Sequence, residues 1–202
     1  MRTKIGPRHH GRKMSLKTFE FASVEESHLF ELARGYIVAL EVPIFRHSLQ
    51  ISVIREYLSA YQLAGSEEKF LVAGSMDCKL LIPEWESERH PDLAVYLTKP
   101  AKPWDRRMWR TWIPELVIEV VSEGSRDRDY TQKREEYWSL DVKEYWIVDE
   151  LLRRVLVLRR GKSDWLETTR GPEDTCETKV LPGFKLPCRA IFDAIKEQEG
   201  NA

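Results

Sequence analysis

Three residues have the type and the setting to do chemistry: Glu119, Asp92 and Lys133. Glu119 interrupts the apolar run Leu116-Val117-Ile118-Glu119-Val120-Val121, whose pattern is that of a strand covered on both faces. A carboxylate left there without a partner costs about 3–5 kcal/mol, so the position demands a cation or a site built for the charge. An edge strand or a salt bridge to an internal arginine would satisfy it equally. Asp92, in Pro91-Asp92-Leu93-Ala94-Val95-Tyr96, opens another apolar strand; alone, an acid after proline also reads as a turn. Taken together, the two acids bracket a strand, a long connection and a return strand, which can bring carboxylates side by side. Two hard oxygen donors, with other positions left to water and phosphate, suit Mg²⁺ or Mn²⁺. Lys133 falls on a helix predicted over about 127–140, sharing one face with Asp129 and Tyr137. An ordinary ion pair between Asp129 and Lys133 explains that spacing too. The flanking Tyr130 and Tyr137 imply a half-buried face turned towards a sheet.

The elements that must hold these residues follow from periodicity. Ser23 caps a segment with acids behind it and helical spacing, predicting a helix over 23–32. Gly35 then offers a stop, and 36–42 reads as a strand. Apolar residues at three- and four-residue steps predict a helix over 47–63. Extended runs follow at 69–72, 79–82 and 93–97. The connection 98–112 carries Lys99, Lys102, Arg106, Arg107 and Arg110 interleaved with Trp104, Trp109 and Trp112. Strands at 144–149 and 154–158 suggest a hairpin or meander, with weaker strands at 165–169 and 177–180 and a helix from about Ala190. The whole reads as an α/β or α+β domain over 16–202, a mixed sheet flanked by helices, preceded by a disordered basic arm over 1–15.

Bulk composition narrows the class. The 202 residues are 42% hydrophobic and 32% charged, with a formal charge of -1. A nucleic-acid enzyme with that balance needs a local basic surface. Cys78, Cys176 and Cys188 are odd in number and widely spaced, which suits a reducing compartment better than a disulfide framework or zinc knuckle. There is no secretory h-region and no apolar run long enough for a membrane span, so a cytoplasmic location is expected. No glycine-rich phosphate loop, GxSxG or HExxH motif is present. Cysteine chemistry pairing Cys78 with His47 or His90 has no motif context.

The run PDLAVY, then PELVIEVVSEGSRDRDYTQKREEYWSLDVKEYWIVD, resembles the Uma-two family of restriction endonucleases, bacterial proteins of the PD-(D/E)xK superfamily. The match rests on Asp92, Pro114, Glu119, Ser122, Asp129, Lys133, Tyr137 and the stretch 142–149, and extends loosely over 28–192. The resemblance implies a restriction-endonuclease-like fold with Asp92 and Glu119 as metal ligands. Glu31 resembles the first-helix acid that supports the metal. In the parent superfamily the lysine follows two residues after the acid, here Val121; Lys133 stands where related members carry it on the next helix. Asp129 and Tyr137 would position that lysine. A glycine usual before the VKEYW segment is Asp141 here. The implied activity is Mg²⁺- or Mn²⁺-dependent hydrolysis of DNA. Lys102, Arg106, Arg107, Arg110 and Arg126 are the candidate phosphate contacts, although exposed Trp and Arg equally suit a contact in a homodimer. The other expectation is a non-catalytic nucleic-acid-binding or assembly module that retains the fold.

Overall fold

The computed structural model describes residues 3–41, 44–65, 69–103 and 105–194, without the side chain of Arg106. The chain opens with β1 (Lys4–Ile5), a 3₁₀ turn at Pro7–His9, the short helix α1 (Leu16–Glu20) and β2 (Ser23–Val24). β1 and β2 pair in parallel. The arm expected to be disordered over 1–15 thus carries a strand at 4–5 and a turn at 7–9, although most of its described residues are exposed. The cause is Ile5, an apolar residue in a polar string, which is fully buried among Leu16, Phe19, Phe30, Leu32 and Ile37.

β3 (Phe30–Ala33) and β4 (Tyr36–Ala39) follow as a hairpin where a helix was expected over 23–32. Every residue of β3 is buried, so sheet packing overrides the local helical spacing. Arg34 and Gly35 take φ values of 50° and 81°, the two positive angles that a type I′ turn requires. Gly35 therefore closes a hairpin instead of stopping a helix.

The long helix α2 (Phe45–Leu63) matches its expected span and buries His47, Gln50, Ile54 and Leu58 in one stripe. Next come β5 (Leu71–Gly74), β6 (Leu80–Ile82), β7 (Ser87–Arg89), β8 (Leu93–Tyr96) and β9 (Leu116–Val120). A π-helical turn at Arg128–Gln132 runs into α3 (Lys133–Ser139) and then β10 (Glu144–Asp149). The chain continues through β11 (Arg154–Arg160), β12 (Trp165–Arg170), β13 (Thr175–Glu177), β14 (Lys185–Pro187) and α4 (Cys188–Asp193).

The main sheet has six strands in the order β12-β11-β10-β9-β8-β5, and within it only β9 and β10 run parallel, joined through α3. A second sheet, β4-β3-β7-β6, is antiparallel. Because strand side chains alternate, β9 serves two cores. Leu116, Ile118 and Val120 pack with Ile54 and Leu58 of α2 and with Ile191 and Phe192 of α4. Val117 packs on the other side with Tyr137 of α3, Tyr145, Ile147 and Leu80. Glu119 shares the parity of Val117 and so faces α3.

The connection between β8 and β9 turns Trp109 and Trp112 inward. Trp112 stacks on Tyr96 with centroids 3.9 Å apart and donates its indole N–H to the Thr98 carbonyl at 2.7 Å. Trp109 packs against Trp112 at 5.6 Å. Trp104 lies outside the described residues. No helix among the described residues is long and apolar enough to cross a membrane.

Candidate active site

The antiparallel register of β8 and β9 sets Leu93 opposite Ile118, so Asp92 arrives opposite Glu119. Hydrogen bonds lock the pair: the Val120 N–H donates to Asp92 Oδ2 at 2.8 Å, and the Asp92 N–H donates to Glu119 Oε2 at 3.4 Å. Asp92 keeps some exposure, whereas Glu119 is buried. From the first turns of α2, His47 brings Nε2 to 3.2 Å from Asp92 Oδ2 and 2.9 Å from the Val120 carbonyl oxygen. Its Nδ1 is buried without a hydrogen-bond partner. One imidazole nitrogen, one carboxylate oxygen and one carbonyl oxygen therefore meet at a single corner.

Lys133 reaches the same place from α3. Its Nζ lies 3.0 Å from Glu119 Oε1 and 2.9 Å from Asp129 Oδ1. The Tyr137 hydroxyl donates to Glu119 Oε1 at 2.6 Å. Asp129 is fixed in turn, its Oδ2 accepting from the Ser125 hydroxyl at 2.5 Å and its carbonyl from the Tyr145 hydroxyl at 2.9 Å. The π-helical turn carries Asp129 just ahead of Lys133, a local irregularity of the kind that aims side chains at functional sites.

A second tier, legible in the sequence only for Glu31, stands behind the lysine. Arg89 of β7 is fully buried; its Nε donates to Glu136 Oε2 at 2.7 Å, and its Nη1 reaches Glu31 Oε2 at 3.1 Å. Its Nη2 donates to Glu136 Oε1 at 3.0 Å and to Gln132 Oε1 at 3.2 Å. The other Glu31 oxygen accepts the His90 N–H at 3.0 Å. Both oxygens of Glu31 are thus engaged, and the residue stands on β3 where the resemblance implies a helix, so it ties β3 to β7. The sequence signal for His47 was its place on the buried stripe of α2. For Arg89 there was none, because Ser87-Glu88-Arg89 carries no apolar periodicity.

Electrostatics reflect an excess of acid. Glu31, Asp92, Glu119, Asp129 and Glu136 are set against Lys133, Arg89, Arg34 and His47. Burial pushes the Glu119 carboxyl up from its usual range; Lys133 works against this, while Asp92, Asp129 and Glu31 reinforce it. Burial opposes the Lys133 charge, but Asp129, Glu119 and Glu31 outweigh it and hold the ammonium protonated. Burial also opposes ionisation of Glu31, yet Lys133, Arg89 and the His90 N–H bring it down to about 2. For His47 burial is overcome by Asp92 and the Val120 carbonyl, which raise its pKa.

Among the described residues no three His, Cys, Asp or Glu side chains gather closely enough to cage a metal by themselves. The donors that do converge are hard oxygens plus one imidazole, in a pocket with surplus negative charge. That set fits an ion such as Mg²⁺ or Mn²⁺, which keeps several water ligands.

The expected phosphate contacts divide. Arg126 lies at the site end of the sheet, its Nη1 2.7 Å from Asp149 Oδ2 and its guanidinium over the Tyr130 ring. Arg107 and Arg110 sit on the connection from the far end of β8 to the start of β9, paired with Asp105 and Glu20 respectively. Lys102 is exposed on that same connection, and the Arg106 side chain lies outside the described residues. That connection leaves the strands at the end opposite Asp92 and Glu119, roughly 10 Å away along β9. Trp109 and Trp112 pack inward against Tyr96, while Lys102, Arg107 and Arg110 stay exposed on the loop.

The mixed sheet, whose neighbouring strands β8 and β9 bring Asp92 to Glu119 with Lys133 arriving from α3, has a restriction-endonuclease-like fold. The profile of the Uma2 family, described as "Putative restriction endonuclease", matches residues 17–189, and the chain belongs to that family. A solved structure described as "a putative nuclease belonging to DUF820 from Anabaena variabilis" superposes with a TM-score of 0.70 at 15% identity, covering 90% of this chain and 99% of that one. No functionally curated protein matches the chain.

Proposed function

We propose that the chain is a metal-dependent endonuclease that hydrolyses phosphodiester bonds in DNA. The observation that carries this reading is the convergence of Asp92, Glu119 and Lys133 from two strands and a helix, with Lys133 Nζ 3.0 Å from Glu119 and the Asp92 carboxylate tied to the Val120 N–H at 2.8 Å. Asp92, Glu119 and the Val120 carbonyl would hold one Mg²⁺ or Mn²⁺ ion, completed by water, with His47 beside Asp92. Such an ion, when bound, lowers the pKa of a water and offsets charge on the phosphate. Lys133 supplies a compact point charge that orients the attacking water or neutralises a non-bridging oxygen. Asp129 holds that ammonium, and Tyr137 holds Glu119, so neither charged group has to reorganise as the phosphate charge develops. Arg126 supplies a cation for a neighbouring phosphate.

A second reading, a nucleic-acid-binding or assembly module with little or no activity, is favoured by one observation. Glu119 Oε1 is already closed onto Lys133 and Tyr137. Two assays separate the readings: plasmid nicking with Mg²⁺ or Mn²⁺, and calorimetric Mn²⁺ titration. Wild type should nick and bind Mn²⁺; Asp92→Ala should do neither; Lys133→Ala should bind Mn²⁺ with near-native affinity yet lose nicking by at least about 100-fold. Wild type that fails to bind Mn²⁺ removes the nuclease reading. Activity in Lys133→Ala removes the lysine from the mechanism. Light scattering on the active fraction would test the homodimer.

A further inference from the structure

The cysteines are far apart in sequence, but two of them touch in space. Cys176 on β13 and Cys188 at the start of α4 bring their Sγ atoms to 3.2 Å inside the main core, both fully buried and both free thiols. The backbone holds them from both sides: β13 pairs with β14, with Thr175 opposite Pro187, and the Cys188 N–H donates to the Asp174 carbonyl at 2.9 Å. We propose that Cys176 and Cys188 form an oxidation site that closes to an intramolecular disulfide when the protein meets a peroxide. The sulfurs need to close from 3.2 Å to about 2.0 Å.

The chemistry assigns a role to each thiol. The Cys188 thiolate attacks a peroxide oxygen and the O–O bond breaks; hydroxide or alkoxide leaves, and Cys188 becomes a sulfenic acid. The Cys176 sulfur then displaces the sulfenic hydroxyl, the S–S bond forms, and the Cys176 proton departs with that hydroxide as water. Two electrons pass from the sulfurs to the peroxide. The hydrogen bond from Cys176 favours the thiolate at Cys188 and lowers its pKa, in keeping with Cys188 as the attacking group. Because both residues are buried, the peroxide reaches them when β13, β14 and α4 open transiently. Cys78 is the internal control. It has no thiol partner, its Sγ donates to the Gly74 carbonyl at 3.4 Å, and burial pushes its pKa up to about 12.

The test is intact-mass spectrometry of the full chain, reduced, treated with hydrogen peroxide, then denatured in N-ethylmaleimide. All three cysteines should take the label before oxidation, and Cys78 alone after it. The unlabelled protein should be lighter by about 2 Da. Dithiothreitol should restore full labelling, and the oxidised form should melt about 5 °C higher. In Cys188→Ser, Cys176 should remain open to the label after peroxide. Full labelling of the oxidised wild type, gain of oxygen without loss of 2 Da, or a disulfide between two chains would each overturn the proposal. These wild-type masses decide it even if the variant fails to fold.

Discussion

Arg89 shows how much of this site is held by a residue that never needs to touch a substrate. It is fully buried and joins Glu31, Glu136 and Gln132 through one guanidinium. Removing it leaves Glu31 with Lys133 and Glu136 with Arg34 at 3.7 Å as their remaining cations, and losing the buried guanidinium costs about 3–5 kcal/mol. Arg89→Met should therefore lose that much stability in urea unfolding; a loss under 1 kcal/mol would mean that water reaches the pair. Glu31 gives the corresponding pH dependence. Its folded pKa of about 2 lies below its ordinary 4.5, so its contribution is complete above pH 4.5 and disappears as the pH falls through 2. The shift corresponds to roughly 3 kcal/mol. Glu31→Gln should flatten the acid limb of the stability profile between those values. Profiles of equal slope for the two proteins would refute the assignment.

At the scale of elements, strand parity and a helical turn decide which side chains meet. The buried strand around Glu119, the strand after Asp92 and the helix bearing Lys133 were legible in the sequence, because long apolar runs and a clear helical repeat carry their own signal. The hairpin at Arg34-Gly35 was not, because its strand has helical spacing and only burial in the second sheet settles the matter. Nor was β7, whose three polar residues acquire meaning only beside Glu31 and Glu136. The family pattern drew attention to Lys133 and Glu31, but it could not show that Arg89 and the His90 N–H reach Glu31 while His47 stands beside Asp92. The long connection reads as a contact surface from its Trp and Arg; Trp112 turns out to stack on Tyr96, while Arg110 pairs with Glu20 and stays partly exposed. Its distance from the carboxylates yields a prediction. Arg107→Ala and Arg110→Ala should leave DNA affinity within about twofold by fluorescence anisotropy, whereas Arg126→Ala should weaken it about fivefold or more at low salt. The reverse order would restore the loop as the binding face.

At the scale of the molecule, a formal charge of -1 means that attraction to nucleic acid must come from local fields. Two cores share β9, one against α2 and α4 and the other against α3, so the strand that carries Glu119 is clamped from both faces. The acids are consequently crowded on a support that cannot relax to separate them. Burial and neighbouring acids raise the Glu119 pKa, so the ion-free fold tolerates this carboxylate best when it is neutral. Between its ordinary pKa and the raised one, rising pH therefore works against the fold. Glu119→Gln, measured by thermal denaturation at pH 8 without divalent ions, should melt at or above the wild-type temperature; a drop of about 5 °C or more would contradict this. Heat resistance and catalytic competence then pull in opposite directions at one position. If Glu119 holds the metal as proposed, a library selected for thermal survival alone would gather variants at Glu119 that have lost the proposed site, and selection with metal present would counter that drift.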